Sequence, residues 1–163
     1  MEESDEIQRK QAVIYFEQAH KHQMRREFAD AIILYERSIA SFPTAEAHTF
    51  LGWTYSMMNR YAEAIEQCEK AIEVDPTFGN PYNDIGAYLI EQEQWEEAIP
   101  WLEKAILAPR YDAPQFPHLN LGRVYEHMGN IPKALYYYNE ALAIDPFYRT
   151  AHNAKYGLLG KLT

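Results

Sequence analysis

The sequence predicts an all-α fold made of four helix–turn–helix repeats and a C-terminal capping helix. Glycine and alanine recur at matching places about every 34 residues, apolar residues recur three or four residues apart, and Asp-Pro pairs stand at the ends of repeats. A spacing of three or four residues places side chains on one face of a helix. A repeat period of roughly 20–50 residues is typical of stacked helical arrays.

The chain begins with a segment that we expect to extend the first helix. Ser4, followed by Asp5 and Glu6, is a favourable helix N-cap with acids in the first turn. The predicted extension covers 4–11, ahead of the first repeat.

The four repeats are predicted at 12–44, 45–78, 79–112 and 115–148. In the second repeat, Leu51, Gly52 and Tyr55 share one helical stripe, and Ala64 and Ala71 share a stripe on the next helix. Small residues at a helix crossing let two backbones approach closely, and a larger side chain would force them apart. The small residues that recur are Gly86, Gly122, Ala98, Ala134, Ala105 and Ala141.

Turn and proline signals separate the helices. Asn59-Arg60 and Gly129-Asn130 are predicted turns, and Pro132 suits the first turn of a helix, where a missing donor costs nothing. The helices before Pro76 and Pro146 should end at the preceding aspartates, because proline disfavours helical geometry in the residue before it. Residues 149–162 begin a further unit and then stop, which predicts a terminal capping helix.

The third repeat departs from the pattern. Its end is a proline-rich segment, 108–117, that is longer than its counterparts. This segment is either a surface bulge without function, or a partner-specific loop or a local change of curvature, since insertions in loops often carry function. Pro100 lies beyond the predicted first turn of its helix, and either delays the start of that helix or bends it.

These repeats resemble the tetratricopeptide repeat over residues 12–148. The marks of resemblance are the pairs Leu51-Gly52, Ile85-Gly86 and Leu121-Gly122, the tyrosines Tyr55 and Tyr125, the recurrent alanines, and the closing prolines Pro76 and Pro146. The resemblance implies a right-handed α-solenoid whose first helices line a concave groove. It also implies a non-catalytic role, in which the groove holds an extended peptide or a helix of another protein.

The predicted groove residues lie about half a turn from the packing stripe of each first helix. They are Phe16, His20, Phe50, Trp53, Met57, Asn83, Asp84, Asn120, Arg123 and Asn153. The N-terminal half is therefore aromatic, which marks binding surfaces when exposed. The C-terminal half offers amides for a partner's backbone, with Arg123 as its one cation. The alternative is that the aromatic residues pack on one another or under the chain's own first residues.

The groove positions do not match one subfamily. Tetratricopeptide cochaperones for heat-shock proteins hold a C-terminal carboxylate with lysine, asparagine and arginine on these groove positions. In this chain the corresponding positions lack the cations, whichever repeat is taken as the first. The sequence therefore predicts no carboxylate clamp of that kind.

Composition limits the partners and the location. The net charge is −9, which argues against nucleic acid, because phosphate binding needs a basic face. No apolar stretch is long enough to cross a membrane, and the acidic start does not resemble a signal peptide. We expect a cytoplasmic protein without membrane attachment.

The sequence predicts no cofactor, metal or catalytic centre. His48, His118 and His152 stand at one packing position of successive repeats, where other repeats have tyrosine, so structural rings are expected. Cys68 is expected to be inert core. No phosphate-binding glycine loop, nucleophile elbow or zinc motif is present.

The leading hypothesis is an interaction module that serves as an adaptor, chaperone-like factor or assembly factor and binds a protein or peptide. The alternative is a structural scaffold that self-assembles into a homo-oligomer. An enzyme is the least favoured of the three.

Overall fold

The computed structural model describes all residues, 1–163, and contains nine α-helices. Their bounds are α1 Glu2–Met24, α2 Phe28–Ser41, α3 Ala45–Met57, α4 Tyr61–Val74, α5 Asn80–Glu91, α6 Trp95–Leu107, α7 Gln115–His127, α8 Ile131–Ile144 and α9 Arg149–Gly160. The predicted all-α helical repeat fold is confirmed.

The chain divides into two compact units, Met1–Pro81 and Tyr82–Thr163. In the first unit, α1 packs on α2, α2 on α3, and α3 on α4. In the second, α6 packs on α7, α7 on α8, and α9 on both α7 and α8. Each unit thus stacks consecutive helices, as expected where one helix pair cannot bury its apolar face alone.

Small residues set the close helix crossings. Ala64 and Ala71 are fully buried, and a Cβ built on Gly52 would lie 2.9 Å from the carbonyl oxygen of Ala64. In the second unit, a Cβ on Gly122 would lie 2.4 Å from the ring of Tyr138. Glycine at these places is therefore required by the neighbouring helix.

Helix boundaries follow the local chemistry. The Thr44 side chain caps α3 by accepting a hydrogen bond from the amide of Ala47 at 3.1 Å, and Asn130 caps α8 in the same way. Asp75 and Asp145 adopt extended backbone after α4 and α8, so the predicted stops before proline are confirmed. Pro132 lies in the first turn of α8, also as predicted.

The turns within helix pairs use left-handed backbone. Asn59 and Gly129 have φ of 59° and 76°, which confirms both predicted turns. Arg26 and Glu93 take the same conformation with φ of 61° and 60°, although neither residue type favours it. At Arg26 and Glu93, the position of the residue in the turn between two paired helices, and not its type, imposes the left-handed backbone.

Three local predictions need correction. Helix α1 begins at Glu2 with Met1 as its N-cap, so Ser4 is helical and the predicted cap is wrong. The irregular segment covers 108–114 only, because α7 begins at Gln115. Pro100 lies inside α6, which begins at Trp95, so the proline does not delay the helix start. Lacking an N–H, it does remove one hydrogen bond of that helix.

Candidate functional site

Four predicted residues of the first unit form one aromatic surface on α1 and α3. Phe16 and Phe50 meet edge to face with centroids 5.2 Å apart, and Phe50 lies 5.5 Å from His20 and 5.7 Å from Trp53. This surface, made of Phe16, His20, Phe50 and Trp53, keeps part of each ring accessible, and Trp53 is 38% exposed. Edge-to-face packing fixes the rings without covering their outer sides.

A series of buried polar contacts lies behind this aromatic surface. The hydroxyl of Tyr35 donates to Oε1 of Gln23 at 2.6 Å, and Nε2 of Gln23 contacts Sδ of Met57 at 3.7 Å. Tyr35 and Gln23 are both 0% exposed, and burial raises the pKa of the Tyr35 hydroxyl. Met57, a predicted groove residue, is thereby tied to the first helix pair.

An apolar cavity of about 440 Å³ lies beside Phe16. Its walls come from α1, from the end of α2 and from the start of α3: Arg9, Ala12, Val13, Phe16, Glu17, Ser38, Phe42, Thr44 and Glu46. At the edge of the cavity, the guanidinium of Arg9 lies over the ring of Phe42, 4.7 Å from the ring centroid. The cavity extends the aromatic surface and gives an apolar side chain a place to enter.

The aromatic rings contact one another but are not covered by the chain's own first residues. The aromatic rings do pack on one another, through Phe16, Phe50 and Tyr35. The chain's first residues do not cover them, because residues 2–24 form one continuous helix that also carries Phe16. The rings are therefore mutually supported and remain open on one side.

The predicted residues of the second unit form a polar row that links α5 to α7. Nδ2 of Asn120 donates to Oδ1 of Asn83 at 3.1 Å, and Nη1 of Arg123 donates to Oδ1 of Asn120 at 3.3 Å. Asn83 also hydrogen bonds to the carboxylate of Asp84. Both amides are buried, so they are engaged within the chain and Arg123 is the more accessible member.

Asp84 ends this row in a poorly solvated place. Desolvation raises the pKa of its carboxyl to about 7, and the hydrogen bond from Asn83 offsets only part of that effect. The hydroxyl of Tyr111 lies within electrostatic reach of Asp84, and burial together with this charge raises the pKa of Tyr111. Asp84 therefore changes its protonation near neutral pH.

Asn153 lies apart from the polar row but lines a cavity with Arg123. This cavity, of about 440 Å³, opens between α7 and α9. Near it, Oε1 of Glu126 accepts from the Tyr138 hydroxyl at 3.0 Å, and Oε2 accepts from Nζ of Lys161 at 3.3 Å. The sequence did not point to Glu126 and Lys161 as neighbours, because they are 35 residues apart.

The recurrent histidines are held by groups of the chain itself. Nδ1 of His48 lies 2.9 Å from Oε1 of Gln67, and Nδ1 of His118 lies 2.6 Å from the carbonyl of Pro114. The ring of His152 bonds the carbonyl of Pro146. These contacts agree with structural rings.

One group of side chains has the composition of a metal site. His22, Glu27 and Asp30, around the turn between α1 and α2, each place a ligand atom within 4.8 Å of the others. Nδ1 of His22 lies 3.6 Å from Oε2 of Glu27 and makes no hydrogen bond. All three side chains are at least partly exposed, so the group has the composition of a metal site but not the enclosure of one.

Comparison with known proteins identifies the family. Sequence profiles of the tetratricopeptide repeat match residues 45–78 and 117–148, and a second profile matches 68–99, so that together they cover more than half of the chain. The chain belongs to the tetratricopeptide repeat family. Proteins of this family bind protein or peptide partners and are generally non-catalytic.

Individual proteins are similar to this chain in sequence or in structure. Sperm-associated antigen 1 of Mus musculus is 36% identical over 80 residues, which is 49% of this chain and 9% of that protein. The chain thus spans about a tenth of that relative's length. The structure of Pseudomonas aeruginosa PilF matches with a TM-score of 0.88 at 22% identity, over 95% of this chain and 70% of PilF.

A third relative has a described ligand class. YrrB, a tetratricopeptide repeat protein with an unusual peptide-binding site, matches with a TM-score of 0.71 at 18% identity, over 88% of this chain and 74% of YrrB. At these identities the two structural matches show a common fold alone.

In this chain, none of the nine helices is both long and apolar enough to cross a membrane.

Proposed function

We propose that this chain is a non-catalytic interaction module that binds a peptide or a helix of a partner protein on the exposed faces of its first helices. Such a module acts as an adaptor, a chaperone-like factor or an assembly factor. The observation that carries the proposal is the aromatic surface of Phe16, His20, Phe50 and Trp53 beside an apolar cavity.

This surface has the properties of a binding hot spot. Its rings are fixed by edge-to-face contacts, so they lose little conformational freedom when a partner binds. Aromatic residues that are partly exposed and flank a pocket dominate protein interfaces. The neighbouring cavity would accept an apolar side chain of the partner, and Arg9 and Glu46 at its wall supply polar contacts at the rim.

Affinity capture followed by binding titration tests this proposal. The purified chain captures partners from a lysate of its source, and the affinity of the captured partner is then measured by calorimetry. Trp53→Ala should weaken binding by about 2 kcal/mol, or about 30-fold in Kd, because it removes a central aromatic anchor. The matched control is Tyr136→Ala, since Tyr136 is an aromatic residue that is 57% exposed and lies on second helix α8, outside this surface.

The outcome is decided by the comparison of the two variants. Circular dichroism should show native helix content for both. Equal affinity of the wild type, Trp53→Ala and Tyr136→Ala for the captured partner would reject the aromatic surface as the binding site.

A second candidate is self-assembly into a homo-oligomer. It is favoured by large apolar side chains left exposed at the C-terminal end, where Phe147 is 92% and Tyr156 is 60% exposed. Light scattering over a concentration series separates the two functions. A strict monomer at high concentration excludes self-assembly.

A further inference from the structure

Arg123 of α7 carries a charge that no carboxylate of the chain balances. Its guanidinium, partly buried, makes one hydrogen bond, to the neutral amide oxygen of Asn120 at 3.3 Å. A guanidinium has five N–H donors, so most of its donor capacity is unused. Glu126, on the next turn, gives its two oxygens to Tyr138 and Lys161 instead.

Small residues on α9 leave open space in front of Arg123. The cavity of about 440 Å³ is lined there by Thr150, Asn153, Ala154 and Gly157. A Cβ built on Gly157 would meet no atom within 4 Å. The space is therefore open to a ligand group and is not filled by the chain's own side chains.

The surroundings of this cavity are positive in an acidic protein. Residues 149–163 contain three bases and no acid, whereas the whole chain has a net charge of −9. Arg123 and Lys161 both line the cavity, and Glu126 is its only carboxylate. An anion that enters gains a cation with unused donors in a partly desolvated place, where charge-assisted hydrogen bonds are strong.

We propose that the cavity between α7 and α9 binds an aspartate or glutamate side chain of a peptide ligand, with Arg123 as its bidentate donor. The proposal rests on the proposed function, because it names the chemistry of part of the bound peptide. A planar carboxylate matches the two parallel donors of a guanidinium. Asn153, at the wall, is placed to bond the peptide backbone beside that residue, whereas the side chain of Thr150 is hydrogen bonded to Tyr148.

Selection from a random peptide library tests the proposal. Decapeptides are displayed at the N-terminus of a phage coat protein, so that no free C-terminal carboxylate is present and only side chains supply acids. The wild-type chain should enrich peptides with Asp or Glu at one fixed position. Arg123→Gln should lose this enrichment and bind the best wild-type peptide about 10–100-fold more weakly, as expected for loss of hydrogen bonds to a charged group.

A steric variant and its matched control separate ligand exclusion from unfolding. Gly157→Leu places a side chain in the open cavity and should abolish binding of the acidic peptides. Gly160→Leu is the control, because a Cβ on Gly160 also meets nothing within 4 Å, but Gly160 does not line the cavity. Both variants should retain native helix content.

The possible results are distinct. Selection of peptides without a fixed acid, or an acid preference that persists in Arg123→Gln, overturns this inference and leaves the proposed function standing. Failure to select any peptide overturns this inference, whereas the proposed function is rejected separately, by equal affinity of the wild type and Trp53→Ala for the captured partner. Loss of the acidic peptides in Gly157→Leu but not in Gly160→Leu supports the cavity as the site.

Discussion

The buried pair of Tyr35 and Gln23 should couple strongly in stability. Both residues are 0% exposed, and the hydroxyl donates to the amide oxygen at 2.6 Å. Tyr35→Phe removes the donor and leaves Oε1 of Gln23 buried without a partner, which costs about 1–3 kcal/mol. Gln23→Met leaves the Tyr35 hydroxyl in the same condition and should cost a similar amount.

The double variant should recover much of this loss. Replacing both partners by apolar groups of similar shape removes the unsatisfied atoms, so Tyr35→Phe with Gln23→Met should cost less than the sum of the two single changes. The expected coupling energy is about 1–3 kcal/mol. Urea denaturation followed by circular dichroism gives the four free energies of unfolding, of the wild type, the two single variants and the double variant. Additive effects would refute the reasoning, because they would mean that the buried hydrogen bond contributes nothing of its own.

Three further predictions follow from the packing, the charges and the candidate metal ligands. Gly52→Ala should lower the free energy of unfolding by about 1–3 kcal/mol, because the new Cβ would lie 2.9 Å from a backbone oxygen. Gly157→Ala, whose Cβ meets no atom, should instead raise the free energy of unfolding by up to about 1 kcal/mol through helix propensity. Equal effects of the two variants in urea denaturation would contradict this prediction. The pKa of Asp84 is about 7 in the folded state and lower when unfolded, so its protonated form contributes stability that is fully present at low pH and is lost as pH rises towards and through 7. Asp84→Asn should remove this pH dependence and raise the free energy of unfolding at pH 8 by about 2 kcal/mol. This value is smaller than the free energy that corresponds to the whole pKa shift, because the side chain keeps some solvent contact. If the free energy of unfolding of the variant depended on pH as that of the wild type does, the desolvation of Asp84 would be refuted. Elemental analysis of the purified chain should find no stoichiometric metal, since the group of His22, Glu27 and Asp30 is largely exposed, and retention of one zinc per chain would contradict that prediction.

The repeat architecture could be predicted because its signals are redundant. The crossing at Gly52, for example, is marked by glycine on one helix and by Ala64 and Cys68 on the other, and each of these is almost or fully buried. The stop at Asp75 follows from the next residue alone. Signals that repeat through the chain survive the loss of any one of them.

Signals carried by one residue were less reliable. Ser4 is a good N-cap by type, yet the strong helix formers around it let α1 begin at Glu2. Arg26 and Glu93 adopt a left-handed backbone conformation that could not be predicted from their residue types. Helix ends depend on small energy differences, and neighbouring residues readily override them.

The candidate site shows the same contrast. The face of each first helix follows from helical geometry, so the sequence placed Phe16, Phe50 and Trp53 together, and they lie in contact. Contacts between repeats depend on which distant side chains meet. The hydrogen bond between Asn83 and Asn120 joins residues that are 37 apart in the sequence. It engages the two amides that we expected, from the sequence, to bond a partner.

The indole N–H signals of the three tryptophans test the central claim most directly. Trp53 lies on first helix α3, whereas Trp95 and Trp101 lie on second helix α6. When the captured partner is added to the ¹⁵N-labelled chain, the account predicts a large shift of the Trp53 signal and none of the Trp101 signal. A shift of Trp101 with an unchanged Trp53 would place the ligand on the second helices and contradict the account.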